Sequence, residues 1–272
     1  MPLDLAGVRS LRPQNEFHYF RTIGSTMVEA SRLAIAGAAH NTVVFAEEQT
    51  SGMGRLGRSW ISEYAAGIYV SILLRLPLPP ANLPVASLLV GLATAEAIEK
   101  STQLACDLRW PNDVLINERK VAGVLPQLVG ECVIAGIGIN VNNQQFPPGL
   151  RTPATSLVLE SANGAPDSAT VLREFRKDGG HPQSREKILV HLLEALDTFS
   201  DLLIRSGTDA ILRAFGAAST YVANRRIIVE ENGLRGTTAG LDSHGFLLVR
   251  SPDGQTQRIS SGGVRFDPEG AG

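Results

Sequence analysis

The sequence predicts an α+β protein in two parts, a larger mixed region over residues 1–219 and a small all-β unit over residues 220–272. Three patterns carry that expectation. Continuous β-branched and apolar runs, of which Gly67–Arg75 is the longest, have the character of buried strands. Apolar residues recurring at three and four positions over residues 81–100, and again over Arg185–Ser206, have the period of helices packed on a core. From about residue 220 the segments shorten to Arg226–Glu230, Leu234–Leu241, Gly245–Arg250 and Gln255–Ile259, with Asn232-Gly233, His244-Gly245 and Asp253-Gly254 as the hairpin turns between them.

Taken in order, Phe17–Phe20 is the first strand. Thr26, followed three residues later by Glu29, makes a capping-box pattern before a helical run to Ala36, which places Ser25 and Thr26 where helix N–H groups point outward. Capping and ligand binding fit that position equally well. Thr42–Ala46 is a short buried strand that delivers Glu47, Glu48 and Gln49 to the glycine-rich loop Thr50–Trp60. That loop puts Gly52, Gly54 and Gly57, Arg55 and Arg58, and Trp60 into eleven residues between two strands. Glycines let a ligand approach the backbone, and arginines bind phosphate or carboxylate oxygens in pairs, so the loop predicts a grip on a small anion. Gly52–Gly57 also spells G-x-G-x-x-G, but no helix starts at Gly57, which excludes the dinucleotide fingerprint. A protein kinase is excluded by the lack of His-Arg-Asp and Asp-Phe-Gly.

After the apolar helix of residues 81–100, Pro111 interrupts the strand pattern Leu108–Ile116 and holds Asn112 and Asp113 at a bend. A polar pair inside an apolar pattern predicts a binding role, with Asp113 as a magnesium contact because hard cations take oxygen ligands. Lys120 opens the next apolar strand, to Leu125, from where a lysine beside a phosphate-gripping loop can neutralise a phosphoryl oxygen. In the following strand, Glu131–Val141, Gly136 and Gly138 alternate where packing would prefer side chains, which marks a close approach. Residues 142–155 form a loop, and part of the polar stretch Ser161–Ser184 is expected to be mobile. The helix Arg185–Ser206 stops at Gly207, and a second helix runs to about Phe215.

Composition narrows the function classes. A formal net charge of −2 excludes the basic footprint of a nucleic-acid-binding protein. Two cysteines, Cys106 and Cys132, make no disulfide framework and suit a reducing compartment. No basic-then-apolar leader opens the chain, and no uncharged apolar run approaches the roughly 20 residues that span a bilayer. The expectation is a cytoplasmic protein with neither DNA nor membrane as partner. The five histidines show no metal-ligand spacing.

Five motifs in order, Gly24-Ser25-Thr26, Glu47–Trp60, Trp110–Asp113, Lys120–Leu125 and Gly136–Asn140, resemble those of the biotin protein ligases, over roughly residues 17 to 268. The resemblance implies a class II synthetase-like mixed sheet flanked by helices, followed by an SH3-like β-barrel. It implies a ligase that activates biotin with ATP and Mg2+ as biotinyl-5'-AMP and passes it to a lysine of the biotin carboxyl carrier domain of acetyl-CoA carboxylase or a related carboxylase; a homodimer is compatible with it. Matched by position, Ser25, Thr26, Gln49, Gly52, Arg55, Lys120, Gly136 and Gly138 would bind biotin. Arg55, Arg58, Trp60, Asn112 and Asn140 would bind ATP or the adenylate. Lys120, Arg55 and Asp113 would be catalytic.

The sequence departs from the family pattern at Met53, where an arginine is usual, and at Gln127, where an acidic residue is usual; the polar stretch 161–184 is also longer. Some members carry an amino-terminal helix-turn-helix, which the sixteen residues ahead of Phe17 would not hold. Two alternatives stay open at this point, a lipoate or octanoate ligase or transferase on the same fold, and a biotin-binding protein with impaired ligase activity.

Overall fold

The computed structural model describes residues 1–163 and 182–268, so most of the polar stretch 161–184 lies outside the described residues. The chain begins with α1 (Leu5–Leu11), β1 (Phe17–Phe20), α2 (Thr26–Ile35), β2 (Val43–Ala46) and β3 (Gly67–Leu74), then α3 (Leu83–Thr102). There follow β4 (Asp107–Arg109), β5 (Asp113–Ile116), β6 (Arg119–Val129), β7 (Cys132–Asn140) and α4 (Leu157–Asn163). After residue 181 come α5 (Arg185–Ser206), α6 (Thr208–Ala217) and β8 to β12 (Ala223–Val229, Arg235–Leu241, Leu247–Arg250, Thr256–Ile259 and Val264–Phe266).

The first seven strands form one mixed sheet in the order β1-β2-β3-β7-β6-β5-β4, parallel between β1 and β2 and antiparallel elsewhere. Successive side chains of a strand point to opposite faces, and the two cores follow that alternation. Val43, Phe45, Ile72 and Leu74 face α3, α5 and α6 in the larger core. Val44, Leu73 and Ile134 face Met27, Ala30 and Leu33 of α2 in the smaller one. The remaining five strands form an antiparallel sheet in the order β11-β10-β9-β8-β12, the SH3-like part of the molecule.

Several elements differ from the sequence expectation. Ser25, not Thr26, is the N-cap residue of α2, and it makes no side-chain capping bond. Glu29 pairs instead with Arg32, so the capping box does not form. Two helices were not expected: α1, capped by Asp4 through the Gly7 N–H at 3.1 Å, and α4, which ends at the start of the polar stretch. The small sheet has a fifth strand, β12, paired to β8. By length and composition, Pro80–Thr102 is apolar enough to cross a bilayer, but 72% of that window is buried, as suits the core helix of a folded domain.

Candidate active site

Three strand glycines make the floor of a small cavity on the α2 face of the large sheet. Gly136 and Gly138 of β7 pair with Leu125 and Gly123 of β6. A methyl group on Gly136 would stand 2.5 Å from Met27 Sδ, and one on Gly138 would stand 2.3 Å from the Trp60 indole. Gly123 meets the same indole at 3.0 Å and Lys120 Nζ at 3.1 Å. These are close approaches of side chains to bare backbone, the physical reason for glycine in a strand. Trp60 therefore packs against Gly138 and Gly123, and the space left is about 50 Å³. The indole Nε1 is buried without a hydrogen-bond acceptor among the described residues.

A chain of hydrogen bonds closes one wall. Ser71 Oγ donates to Thr26 Oγ1 at 2.8 Å, and the Thr26 N–H and hydroxyl both donate to Gln49 Oε1, at 2.8 and 3.0 Å. Gln49 Nε2 then donates to Ser62 Oγ at 2.9 Å. The first N–H of α2 is thus satisfied by the glutamine that precedes the loop, and Thr26 and Gln49 both line the cavity. Ser25 and Gly52 do not. Ser25 Oγ is buried with no partner among the described residues, while Gly52 packs under the Trp60 carbonyl, 2.3 Å from where a Cβ would stand, and shapes the loop.

The loop folds back on itself as a short hairpin. Gly54 donates to Arg58 O at 2.7 Å, Trp60 donates to Gly52 O at 2.9 Å, and a 3-10 turn spans Arg55–Gly57. Leu56 at its tip is left-handed, with φ 57°, a conformation that costs a residue with a Cβ roughly 1–2 kcal/mol. The Arg55 guanidinium donates to Asn112 Oδ1 and to the Gly262 carbonyl of the small sheet, both at 3.2 Å. Burial lowers its pKa from the ordinary arginine value, and the nearby Asp113 charge works against that shift.

Lys120 stands where a bulge in the β5–β6 pairing falls, with Leu115 opposite Lys120 and Val114 opposite Ala122; a bulge re-aims the side chains beside it. Its backbone is clamped by the Lys120 N–H to Pro153 O bond at 2.8 Å and the Thr155 N–H to Lys120 O bond at 2.9 Å. Its ammonium lies 2.5 Å from Asp113 Oδ1 and 5.3 Å from the centre of the Trp60 ring. Arg109 takes the other carboxylate oxygen of Asp113 at 2.5 Å and also donates to Thr152 Oγ1 at 2.7 Å. Burial acts to raise the Asp113 pKa, but Lys120 and Arg109 together outweigh it and hold the carboxyl below its ordinary range.

Without nucleotide, the Asp113 oxygens lie on Arg109 and Lys120, and among the described residues no group of three His, Cys, Asp or Glu side chains is placed to hold a metal.

Beyond Lys120 the site opens into a cleft of about 550 Å³, lined by Arg55, Arg58, Asn112, Asp113 and Asn140 among others, with Glu230, Gly262 and Gly263 supplied by the small sheet. Asn140 donates to Thr155 O at 3.0 Å, which ties the cleft to the strap behind Lys120. Lys120, Arg55, Asn112 and Trp60 line both the cavity and the cleft. The sequence reading missed Met27, Gly123, Arg109 and the small-sheet residues. Gly123 sits inside the Lys120–Leu125 motif and was within reach; nothing local marks the others.

Residues 19–142 match the Biotin/lipoate A/B protein ligase family, and residues 223–266 match the Biotin protein ligase C terminal domain. The chain is 32% identical over 244 residues to the bifunctional ligase/repressor BirA of Bacillus spizizenii, covering 87% of this chain and 70% of that one. It is 30% identical over 255 residues to the biotin acetyl-CoA-carboxylase ligase of Paracoccus denitrificans, covering 85% of this chain and 92% of that one. Among solved structures it resembles the biotin protein ligase of Aquifex aeolicus in complex with biotin and ATP, with a TM-score of 0.73 and 28% identity over 93% of this chain and 98% of the other.

Proposed function

The chain belongs to the biotin protein ligase family, and on that premise we propose that it joins biotin to the carrier domain of a carboxylase in two steps through biotinyl-5'-AMP. A biotin carboxylate oxygen attacks the α-phosphorus of ATP, the bond to the β-phosphate breaks, and pyrophosphate leaves. The neutral amine of a carrier lysine then attacks the acyl carbon of the mixed anhydride, AMP leaves, and the amine loses its proton.

One observation carries the reading. Lys120 lines both the small cavity and the large cleft, so a carboxylate from one side and a phosphate from the other would meet at its ammonium. A preorganised charge there stabilises the oxygens on which negative charge builds. Thr26, Gln49, Gly136 and Gly138 would hold biotin; Arg55, Arg58, Asn112 and Asn140 would face the nucleotide. Magnesium enters as the counter-ion of the ATP substrate, consistent with its habit of riding on phosphates. Residues 1–219 would carry the chemistry and 220–272 would complete the nucleotide side. Incubation with biotin, ATP, magnesium and a carrier domain should give a biotin-dependent mass increase of the carrier and release of pyrophosphate. Transfer of lipoate or octanoate in preference to biotin, or binding without transfer, would select one of the alternatives.

Two further results are expected. Biotin cannot share its seat with the Trp60 indole, because about 50 Å³ falls well short of the roughly 300 Å³ at the small end of ligand sites. Biotin should therefore move Trp60. The chain has two tryptophans, and the buried Trp110 donates to Gly245 O at 3.0 Å. A fluorescence change on biotin titration should be present in the wild type and absent in Trp60→Phe; a change that survives in the variant rejects the displacement.

Arg55→Gly should leak adenylate. Losing charge-assisted bonds costs about 1.5–3 kcal/mol, which is roughly ten- to a hundredfold faster escape if it appears in the off-rate. Bystander lysines should then be biotinylated, and Met53→Arg, which restores the loop charge usual in the family, should tighten retention. Equal retention of adenylate by all three chains would mean that Arg55 is no clasp.

A further inference from the structure

Building on the ligase reading above, we propose that Glu230 is a positioning residue for the nucleotide: it holds Arg58 and Arg151 at the rim of the cleft and yields both to the phosphates of ATP. Glu230 follows β8, and its N–H donates to Gly263 O at 2.9 Å. Its carboxylate lies over Gly263, where a Cβ would come 3.2 Å from Oε2, and its side chain is only 10% exposed. The backbone beneath the anion is therefore tied to Gly263, whose missing Cβ leaves the carboxylate its place.

The two cations are not fixed. Arg58, from the glycine loop, and Arg151, from the loop after β7, reach the same Glu230 oxygen at 3.4 and 4.0 Å, with side chains 49% and 67% exposed. Ion pairs that long and that exposed hold weakly. All three residues line the large cleft together with Lys120 and Asn112. A triphosphate entering there offers more charge and paired oxygens that match the guanidinium fork better than a single carboxylate oxygen does. Arg55 differs, being bonded to Asn112 and to the Gly262 carbonyl, so it remains in place while Arg58 and Arg151 change partners.

Two consequences follow from one largely buried anion facing two mobile cations. Glu230 competes with ATP for the charge of a loop in which Met53 supplies none. It also recovers both arginines once pyrophosphate forms, which favours departure of that product.

The experiment compares the full chain with Glu230→Gln by steady-state pyrophosphate release. The KM for ATP should fall about three- to tenfold, the scale of two released surface pairs, with the KM for biotin within about twofold and pyrophosphate a correspondingly stronger inhibitor. In an Arg58→Gln/Arg151→Gln background the Glu230→Gln change should no longer move the KM for ATP. An unchanged or higher KM for ATP, or a decrease that persists without the two arginines, overturns the proposal. A chain that binds biotin and ATP by calorimetry yet releases no pyrophosphate overturns the ligase reading instead, and the same calorimetry then tests Glu230 directly through the ATP affinity.

Discussion

Lys120→Ala is expected to lower adenylate formation by more than about a hundredfold, the scale of removing one preorganised charge contact, while biotin affinity stays within a few fold. The ammonium is held from several sides. Asp113 fixes it at 2.5 Å, Arg109 fixes Asp113 from the other side, and the strap at Pro153 and Thr155 fixes the backbone beneath it. Asp113 keeps Arg109 in the variant, so its carboxylate is not stranded and the loss should appear in chemistry more than in stability.

The acid limb follows from the same contacts. The Asp113 pKa is depressed in the folded state, so its stabilising contribution is fully present above the unfolded value of about 3.9 and is lost as pH falls through the lower folded value. The ion pair should therefore persist throughout the neutral range. Pyrophosphate release measured beside biotin titration checks the first claim, and near-normal release by Lys120→Ala would remove Lys120 from the mechanism.

Arg185→Met is expected to cost about 3–5 kcal/mol of stability, the range for breaking a buried ion pair by removing one partner. Glu47 is fully buried and Arg185 is 4% exposed, and their closest atoms are 2.7 Å apart. The same carboxylate accepts from the Leu3 N–H at 2.7 Å and the Tyr19 hydroxyl at 2.9 Å, while Arg185 also donates to the Met1 and Gly67 carbonyls. Burial and the Glu47 carboxylate push the Tyr19 hydroxyl up to about 12, so it stays a neutral donor. Without the guanidinium, a carboxylate with no compensating cation is left in the interior, and Tm should drop by roughly 6–20 °C. Adding Glu47→Gln should recover part of the loss, because the amide oxygen still accepts. Denaturation of both variants measures this, and a single-variant loss below about 1 kcal/mol would show that water or another group compensates. Since Glu47 stands two residues before Gln49, biotin affinity should weaken alongside stability.

Much of the molecule is legible in its sequence. Periodicity locates β3, α3, α5 and most of the small sheet, because each is long enough, or punctuated clearly enough by Gly and turn pairs, for neighbours in sequence to decide its conformation. The glycine loop, the strand opened by Lys120 and the paired glycines of β7 stand out because polar or missing side chains interrupt apolar patterns, and with Gly24–Thr26 and Trp110–Asp113 they make five motifs in order, enough to recognise the family. What escapes is short or long-range. The seven residues of α1 bury only Val8, and Arg12 just beyond that helix is tied to Asp197; the three residues of β12 exist through pairing with β8.

The sequence by itself determined the α+β order of elements and the family, and it nominated the residues of the candidate site. Only the tertiary structure decided how those residues are partnered. Glu47 and Glu48 are alike in sequence, yet one is the buried partner of Arg185 and the other is not. Asp113 has the sequence character of a metal ligand, but β6 brings Lys120 onto it and the turn of the chain adds Arg109. Gly262 and Glu230, far along the chain, meet Arg55 and Arg58 because the small sheet docks on the glycine loop. Local propensity and spacing reflect a residue's neighbours in the chain. The partner of a buried charge is chosen by the packing of whole elements, which no window of sequence contains.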